Sequence, residues 1–362
     1  MKILFASGTM GGGGAERVVS ILANEFVARG LEVSILVVWG NSVYELDPRI
    51  RLLKLYEEAE FKSSVSNKIA RRLVYYPRLV GRLRAERPDI IIPVHGGGWN
   101  GKLVLLAKLL GIRVIAAEHI NHRVKSGEVL RQLERRMAYR LADALTVLTR
   151  SDFAHYNAYL PRVHLLPNPV GFPIISHRPT RSRTVLAAGR LNSWHHKGFD
   201  NLLQVFAMVA PMHTEWRLQI AGTGDDGLRY LTQLAQELGI ANRVDFLGFR
   251  KDIDRLMRES SIFVVSSRYE GFSMVLVEAM SQGCACVSFD CESGPSDIIH
   301  HEVDGLLIRD QDNLAMSAAL DQLMSDKALR ERLSTAALQK ARKFAADAIV
   351  DRWLDLLKLT SH

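Results

Sequence analysis

Lys2-Ile3-Leu4-Phe5-Ala6-Ser7-Gly8-Thr9-Met10-Gly11-Gly12-Gly13-Gly14 is the stretch from which the fold is read. An apolar run of strand length meets a glycine cluster. Ala15, Val18, Val19, Leu22 and Phe26 then recur at the spacing of one helix face. Strand, glycine loop and helix form the repeating step of a parallel α/β sheet, in which the loop lets backbone approach a ligand at a helix N-terminus. The string is not a G-x-G-x-x-G fingerprint, and no acidic ribose-binding residue is clear on the next strand. A dinucleotide loop, a plain tight turn and a phosphate- or sugar-facing loop all remain open, and the last is carried forward, with Gly13 and Gly14 as its candidate residues.

The same alternation continues outward. Strands are predicted at 32–38, 50–55, 89–94, 113–117 and 143–148, with helical patterns between them. The proline-rich run Leu165-Leu166-Pro167-Asn168-Pro169-Val170-Gly171-Phe172-Pro173 can continue neither element. Beyond it strands restart at 183–188, 216–221, 243–247, 261–265 and 285–289. A chain of 362 residues is long enough for two such α/β domains, each with a mostly parallel sheet covered on both faces. Three helices are expected at 311–324, 327–342 and 346–359. The last carries Ile349, Trp353, Leu356 and Leu357 on one face, able to dock across both domains. The expected divisions are 1–170, 171–343 and a returning helix in 344–362.

Chemistry-bearing residues gather in the second half. Gly189-Arg190 follows a strand and Lys197-Gly198 comes shortly after; a guanidinium fork and a mobile ammonium suit a diphosphate, although such a pair in a loop is also ordinary solvated surface. Ala221-Gly222-Thr223-Gly224 repeats the glycine turn after another strand. Ser267-Arg268-Tyr269-Glu270-Gly271-Phe272-Ser273-Met274-Val275-Leu276-Val277-Glu278-Ala279-Met280 places Glu270 in a loop and Glu278 inside the following helix. The backbone N–H groups of 271–274 can bind phosphate or a sugar hydroxyl, and Glu278 can accept from ribose hydroxyls. Alternatively, Glu270 only complements the helix dipole and Glu278 is exposed.

Taken in order, the glycine loop, Asn168-Pro169, Gly189-Arg190 to Lys197-Gly198, the E-x7-E pair Glu270 and Glu278, Gly294-Pro295-Ser296-Asp297-Ile298-Ile299 and Asp304-Gly305-Leu306-Leu307 resemble the retaining glycosyltransferase family 4. The resemblance covers essentially the whole chain. It implies a GT-B fold, two Rossmann-like doubly wound domains facing a central cleft, with the C-terminal helix crossing back. It implies Arg190 and Lys197 as donor diphosphate clamp, Glu278 as ribose ligand and Glu270 as the acid beside the donor sugar. Gly189, Gly271, Phe272, Ser273 and Met274 would be donor contacts, and His119, after Glu118, the active-site histidine; Asn121 and His122 are less defined. The implied reaction moves a hexose or N-acetylhexosamine from a UDP-sugar to a lipid-linked or growing glycan, including a polyprenyl-diphosphate-linked acceptor. The displacement is front-face and needs neither cofactor nor metal. GDP-mannose is the alternative donor. A sugar-nucleotide epimerase of similar fold and a non-catalytic glycan-binding module are the alternatives from other classes.

Asp310-Gln311-Asp312 imitates a DxD metal motif but falls in a predicted turn before a helix, where acids are common. Cys284, Cys286 and Cys291 lack a fourth ligand and zinc spacing and read as reduced, buried thiols. The net charge of +8 favours anionic partners. Its densest stretch is 62–87, with Lys62, Lys68, Arg71, Arg72, Arg78, Arg82, Arg84 and Arg87; a second group is Arg131, Arg135, Arg136 and Arg140. A basic amphipathic helix suits an anionic membrane surface or lipid diphosphate, with Leu73, Val74, Leu79 and Leu83 entering the interface. The other reading is a solvated face. Nucleic acid is not expected, because no binding module accompanies the charge. No apolar run reaches the roughly 18 residues of a membrane span, and no signal-peptide pattern opens the sequence, so a cytoplasmic protein, peripheral on the inner membrane face, is expected.

Overall fold

The computed structural model of the chain describes residues 1–58, 60, 68–94, 98–122, 136–176 and 179–360. Two compact units emerge. One comprises Met1–Gly171 together with Ala346–His362, and the other Phe172–Ala345.

In the first unit the strands are β1 (Lys2–Ser7), β2 (Glu32–Val37), β3 (Arg51–Lys54), β4 (Ile90–Pro93), β5 (Arg113–Ala117), β6 (Ala144–Val147) and β7 (Val163–Leu165). They form one sheet in the order β3-β2-β1-β4-β5-β6-β7, with parallel ladders. In the second unit β8 (Ser182–Ala188), β9 (Arg217–Ala221), β10 (Val244–Gly248), β11 (Ser260–Val265), β12 (Ala285–Asp290) and β13 (Leu306–Arg309) lie in the order β10-β9-β8-β11-β12-β13, again parallel. Both are doubly wound, Rossmann-like sheets. Central strands such as β1 and β12 are buried on both faces, which accounts for their unbroken apolar runs.

Each order reverses once, between β1 and β4 and between β8 and β11. At such a reversal the connections leave in opposite directions, opening a crevice at the carboxyl ends of the strands. The glycine loop after β1 and the loops after β8 and β11 therefore sit where a ligand can reach backbone.

Helix Ala346–Leu359 packs in the first unit against helix Gly14–Ala28, burying Ile349, Val350, Trp353, Leu356 and Leu357. Arg29 donates to Asp351 at 2.9 Å, and Arg113 to the Thr360 carbonyl at 2.9 Å.

The basic stretch becomes helix Lys68–Glu86, with Pro77 inside it. Leu79 and Leu83 are 2% and 0% exposed, packed in the first unit's core with Leu103, Tyr139 and Tyr156. The expectation that they enter a membrane interface is thereby corrected: the apolar stripe of this helix covers its own sheet. Val74 and Tyr76 remain exposed. Arg78 is paired with Glu60 at 2.6 Å and lies over the Tyr56 ring, while Arg82 is exposed. The side chains of Arg71, Arg72 and Leu73 lie outside the described residues, as do Lys62, Arg131 and Arg135. Among the described residues no helix is long and apolar enough to cross a membrane.

Candidate active site

In the second unit three glycine turns crowd together behind the crevice. Gly198 ends the short helix Trp194–Lys197 in the left-handed region, and a Cβ there would lie 1.8 Å from the Ser266 carbonyl oxygen. Gly222, after β9, stands equally close to the Gly189 carbonyl. The loops after β8 and β11 are also tied directly, Arg268 N–H donating to the His196 carbonyl and Ser266 Oγ to the Lys197 carbonyl, each at 2.9 Å. Glycine at these positions is a packing requirement, since no side chain fits between the backbones.

This packing brings Lys197 and Glu270 together from residues far apart in sequence. The Lys197 ammonium lies 2.8 Å from Glu270 Oε1, which also accepts from Ser267 Oγ at 2.7 Å. Ser293 Oγ donates to the Glu270 carbonyl at 2.9 Å, so the loop after β12 braces the same residue. Arg190, exposed, directly follows Gly189 at the end of β8. Phe272 is buried and meets Phe344 edge-on at 5.8 Å, so its ring is a packing group and only its backbone is positioned for a ligand. Ser273 has φ +34, and its buried hydroxyl lacks a hydrogen-bond partner among the described residues. A non-glycine residue in that strained region immediately before helix Met274–Ser281 marks a place where backbone is held for a purpose. Glu278 is 2% exposed inside that helix, which removes the surface reading of this carboxylate.

One group at this site, Arg268, was not singled out from the sequence. Arg268 forms a two-pronged pair with Asp200, both contacts 2.8 Å, and reaches the His195 carbonyl. It locks the Glu270 loop onto helix Phe199–Val209. The only sequence signal was Asp200 in the first turn of that helix, which the dipole alone explains. His196 Nε2 donates to the Tyr269 carbonyl at 2.8 Å, and its ring stacks on the Tyr269 ring at 3.8 Å, a packed role.

In the first unit Gly13 faces the Glu16 carboxylate, an added Cβ falling 2.0 Å from Glu16 Oε2; Thr9 Oγ1 donates to the other oxygen at 2.9 Å. Helix Gly14–Ala28 therefore begins beside a fixed negative charge, and its loop is electrostatically better suited to hydroxyl groups than to phosphate. His119 follows β5, half-buried, in a segment whose neighbours Glu118 and Asn121 are buried.

The remaining candidates fall elsewhere. Asp312 Oδ1 caps helix Asn313–Ser325 by accepting from Ala315 N–H at 2.9 Å. Cys284, Cys286 and Cys291 are free and buried, and burial pushes the Cys284 thiol up to about 11 and Cys291 to about 12. Among the described residues no group of three or more histidine, cysteine or acidic side chains is arranged to hold a metal.

Two doubly wound parallel units with backbone-lined crevices at their switch points define the GT-B class of glycosyltransferases. Residues 12–171 match Glycosyltransferase Family 4 and residues 173–340 match Glycosyl transferases group 1. A protein of Campylobacter jejuni named GalNAc-alpha-(1->4)-GalNAc-alpha-(1->3)-diNAcBac-PP-undecaprenol alpha-1,4-N-acetyl-D-galactosaminyltransferase is 30% identical over 99% of this chain and 98% of its own length. The amylovoran biosynthesis glycosyltransferase AmsD of Erwinia amylovora is 27% identical, over 98% of this chain and 99% of its own. Among solved structures, Anabaena HepE in complex with UDP superposes with a TM-score of 0.82 at 18% identity, covering 99% of this chain and all of that one. The chain belongs to glycosyltransferase family 4.

Proposed function

We propose that this glycosyltransferase moves a hexose or N-acetylhexosamine from a UDP-sugar to a lipid-linked or growing glycan, with retention at the anomeric carbon and without a metal. The observation that carries the reading is the Lys197–Glu270–Ser267 cluster, in the loops after β8 and β11 at the switch point of the second unit. Lys197 and Arg190 supply positive charge for a diphosphate, helped by the start of helix Met274–Ser281, and Glu278 accepts from the ribose. These fixed charges take the place of a divalent cation in offsetting the leaving group. The bond from the anomeric carbon to the phosphate oxygen breaks, the acceptor oxygen bonds on the same face, and its proton passes to the departing phosphate. Glu270 stands beside the donor sugar. The glycine loop at Gly13 and Gly14 faces hydroxyl groups, in keeping with Glu16, and His119 is the active-site histidine. The UDP in the HepE structure and the undecaprenol-linked glycan in the name of the Campylobacter relative support this donor and acceptor class.

Thermal melting with UDP, GDP and their sugars tests the donor. A ligand present at a hundredfold its Kd stabilises by about 2.7 kcal/mol. UDP and one UDP-sugar should raise the melting temperature where GDP and GDP-mannose do not. Transfer from that donor to a polyprenyl-diphosphate glycan should persist in excess chelator. Stabilisation by guanine nucleotides alone, or strict dependence on added Mg or Mn ions, would overturn the reading.

A further inference from the structure

The segment 118–122 joins β5 to the rest of the first unit and carries His119. Two buried carboxylates hold it, one at each end. At its start Glu118, 2% exposed, accepts from the Tyr139 hydroxyl at 2.7 Å and from the Ile120 N–H at 3.2 Å. At its end one oxygen of Asp152, 4% exposed, accepts both the backbone N–H of His122 at 2.9 Å and a contact from His122 Nδ1 at 2.8 Å. The other Asp152 oxygen accepts from Thr149 Oγ1 at 2.7 Å, and that hydroxyl caps helix Arg150–Asn157 by accepting from Asp152 N–H at 3.2 Å. The His122 ring, 11% exposed, stacks on His155 at 4.2 Å.

A buried carboxylate is costly unless its lone pairs are taken, and Asp152 takes three donors, two of them from His122. One of those is backbone. The side-chain contact therefore fixes the ring and the path of the chain at once, with Nδ1 as the donor to the carboxylate. Helix capping alone would need only Thr149 and the Asp152 amide. The contacts to His122 are surplus to that task, and they tie a helix after β6 to a loop after β5. We infer that Asp152, acting through His122, is a positioning residue for His119, with Glu118 holding the opposite end of the same segment. This rests on His119 being the active-site histidine proposed above.

Misplacing a reacting-site group by about 1 Å can cost about 10²-fold in rate. His122→Ala should therefore lower kcat by about 10²-fold while the donor KM stays unchanged, because the donor-holding groups lie in the second unit. His122→Phe keeps the ring stack and loses the donor; it should show the same loss and serves if the alanine variant does not fold. His122→Asn can still donate to Asp152 and should recover most of the activity. In a His119→Ala background, His122→Ala should add no further loss, since groups acting through one another are not additive. Wild-type turnover in folded His122→Phe, or an equal loss with and without His119, would overturn the inference and leave the site reading intact. Wild-type turnover in His119→Ala would overturn both.

Discussion

Lys197 meets Glu270 at 2.8 Å, so a diphosphate bound as proposed would share an ammonium that already has a partner. Removing either partner should have opposite effects on binding. Lys197→Ala loses the charge proposed to face the leaving group, and turnover should fall by about 3 kcal/mol of transition-state stabilisation in a folded protein. Glu270→Gln removes a competing carboxylate, so UDP should bind more tightly even as turnover falls. Calorimetric titration with UDP alongside kcat separates the two; weaker UDP binding in Glu270→Gln would contradict the shared-ammonium picture. Gly189, Arg190, Lys197, Glu270 and Glu278 were picked out by their place after strand ends and by the family resemblance, and the structure brings Lys197 and Glu270 together. The Arg268–Asp200 lock and the left-handed backbone of Ser273 were not legible. They are created by loops distant in sequence, and nothing local in either stretch distinguishes them from surface charge and an ordinary cap.

Among the elements, the loop after β8 depends on Gly198, which has no room for a methyl group against the Ser266 carbonyl. Gly198→Ala should destabilise the protein by about 1–3 kcal/mol through left-handed strain, with the backbone collision adding to it. Chemical denaturation measures this; unaltered stability would mean the loops can part without consequence. Helix Lys68–Glu86 poses the opposite problem, since its composition is visible and its orientation is not. Periodicity marks an apolar stripe, but a stripe facing a sheet and one facing a bilayer read alike. Burial of Leu79 and Leu83 settles it for the sheet. Among the described side chains of this helix, Arg82 and Arg84 are the exposed basic groups on which peripheral association can draw, with Val74 and Tyr76 also exposed. Wild type should cosediment with anionic vesicles at low salt and release at high salt. Replacing Arg82 and Arg84 with Gln should weaken binding by about 1 kcal/mol per residue. Equal indifference of both proteins to such vesicles would leave the basic face merely solvated. Strands β7 and β13 escaped the sequence reading.

Across the whole molecule, two histidines among the described residues are pushed by burial below the ordinary value of 6.5: His164 in β7 and His196 beside Lys197. The unfolded chain then binds more protons than the folded one as pH falls through 6.5, so stability rises with pH in that window and is lost on acidification. The melting temperature should drop between pH 7 and pH 5.5, and His164→Gln together with His196→Gln should flatten the drop. A profile identical to wild type would assign acid sensitivity to other groups. The division of the chain has a temporal consequence as well. Helix Ala346–Leu359 completes a unit begun at Met1, yet the whole of Phe172–Ala345 is translated in between. At ~5–20 residues per second the ribosome holds the first-made sheet without its last helix for about 10–40 s. During that interval the flank of Gly14–Ala28 that receives this helix stays uncovered, and the contiguous second unit has its last residue, Ala345, before the helix is made. The half begun first is thus the half completed last.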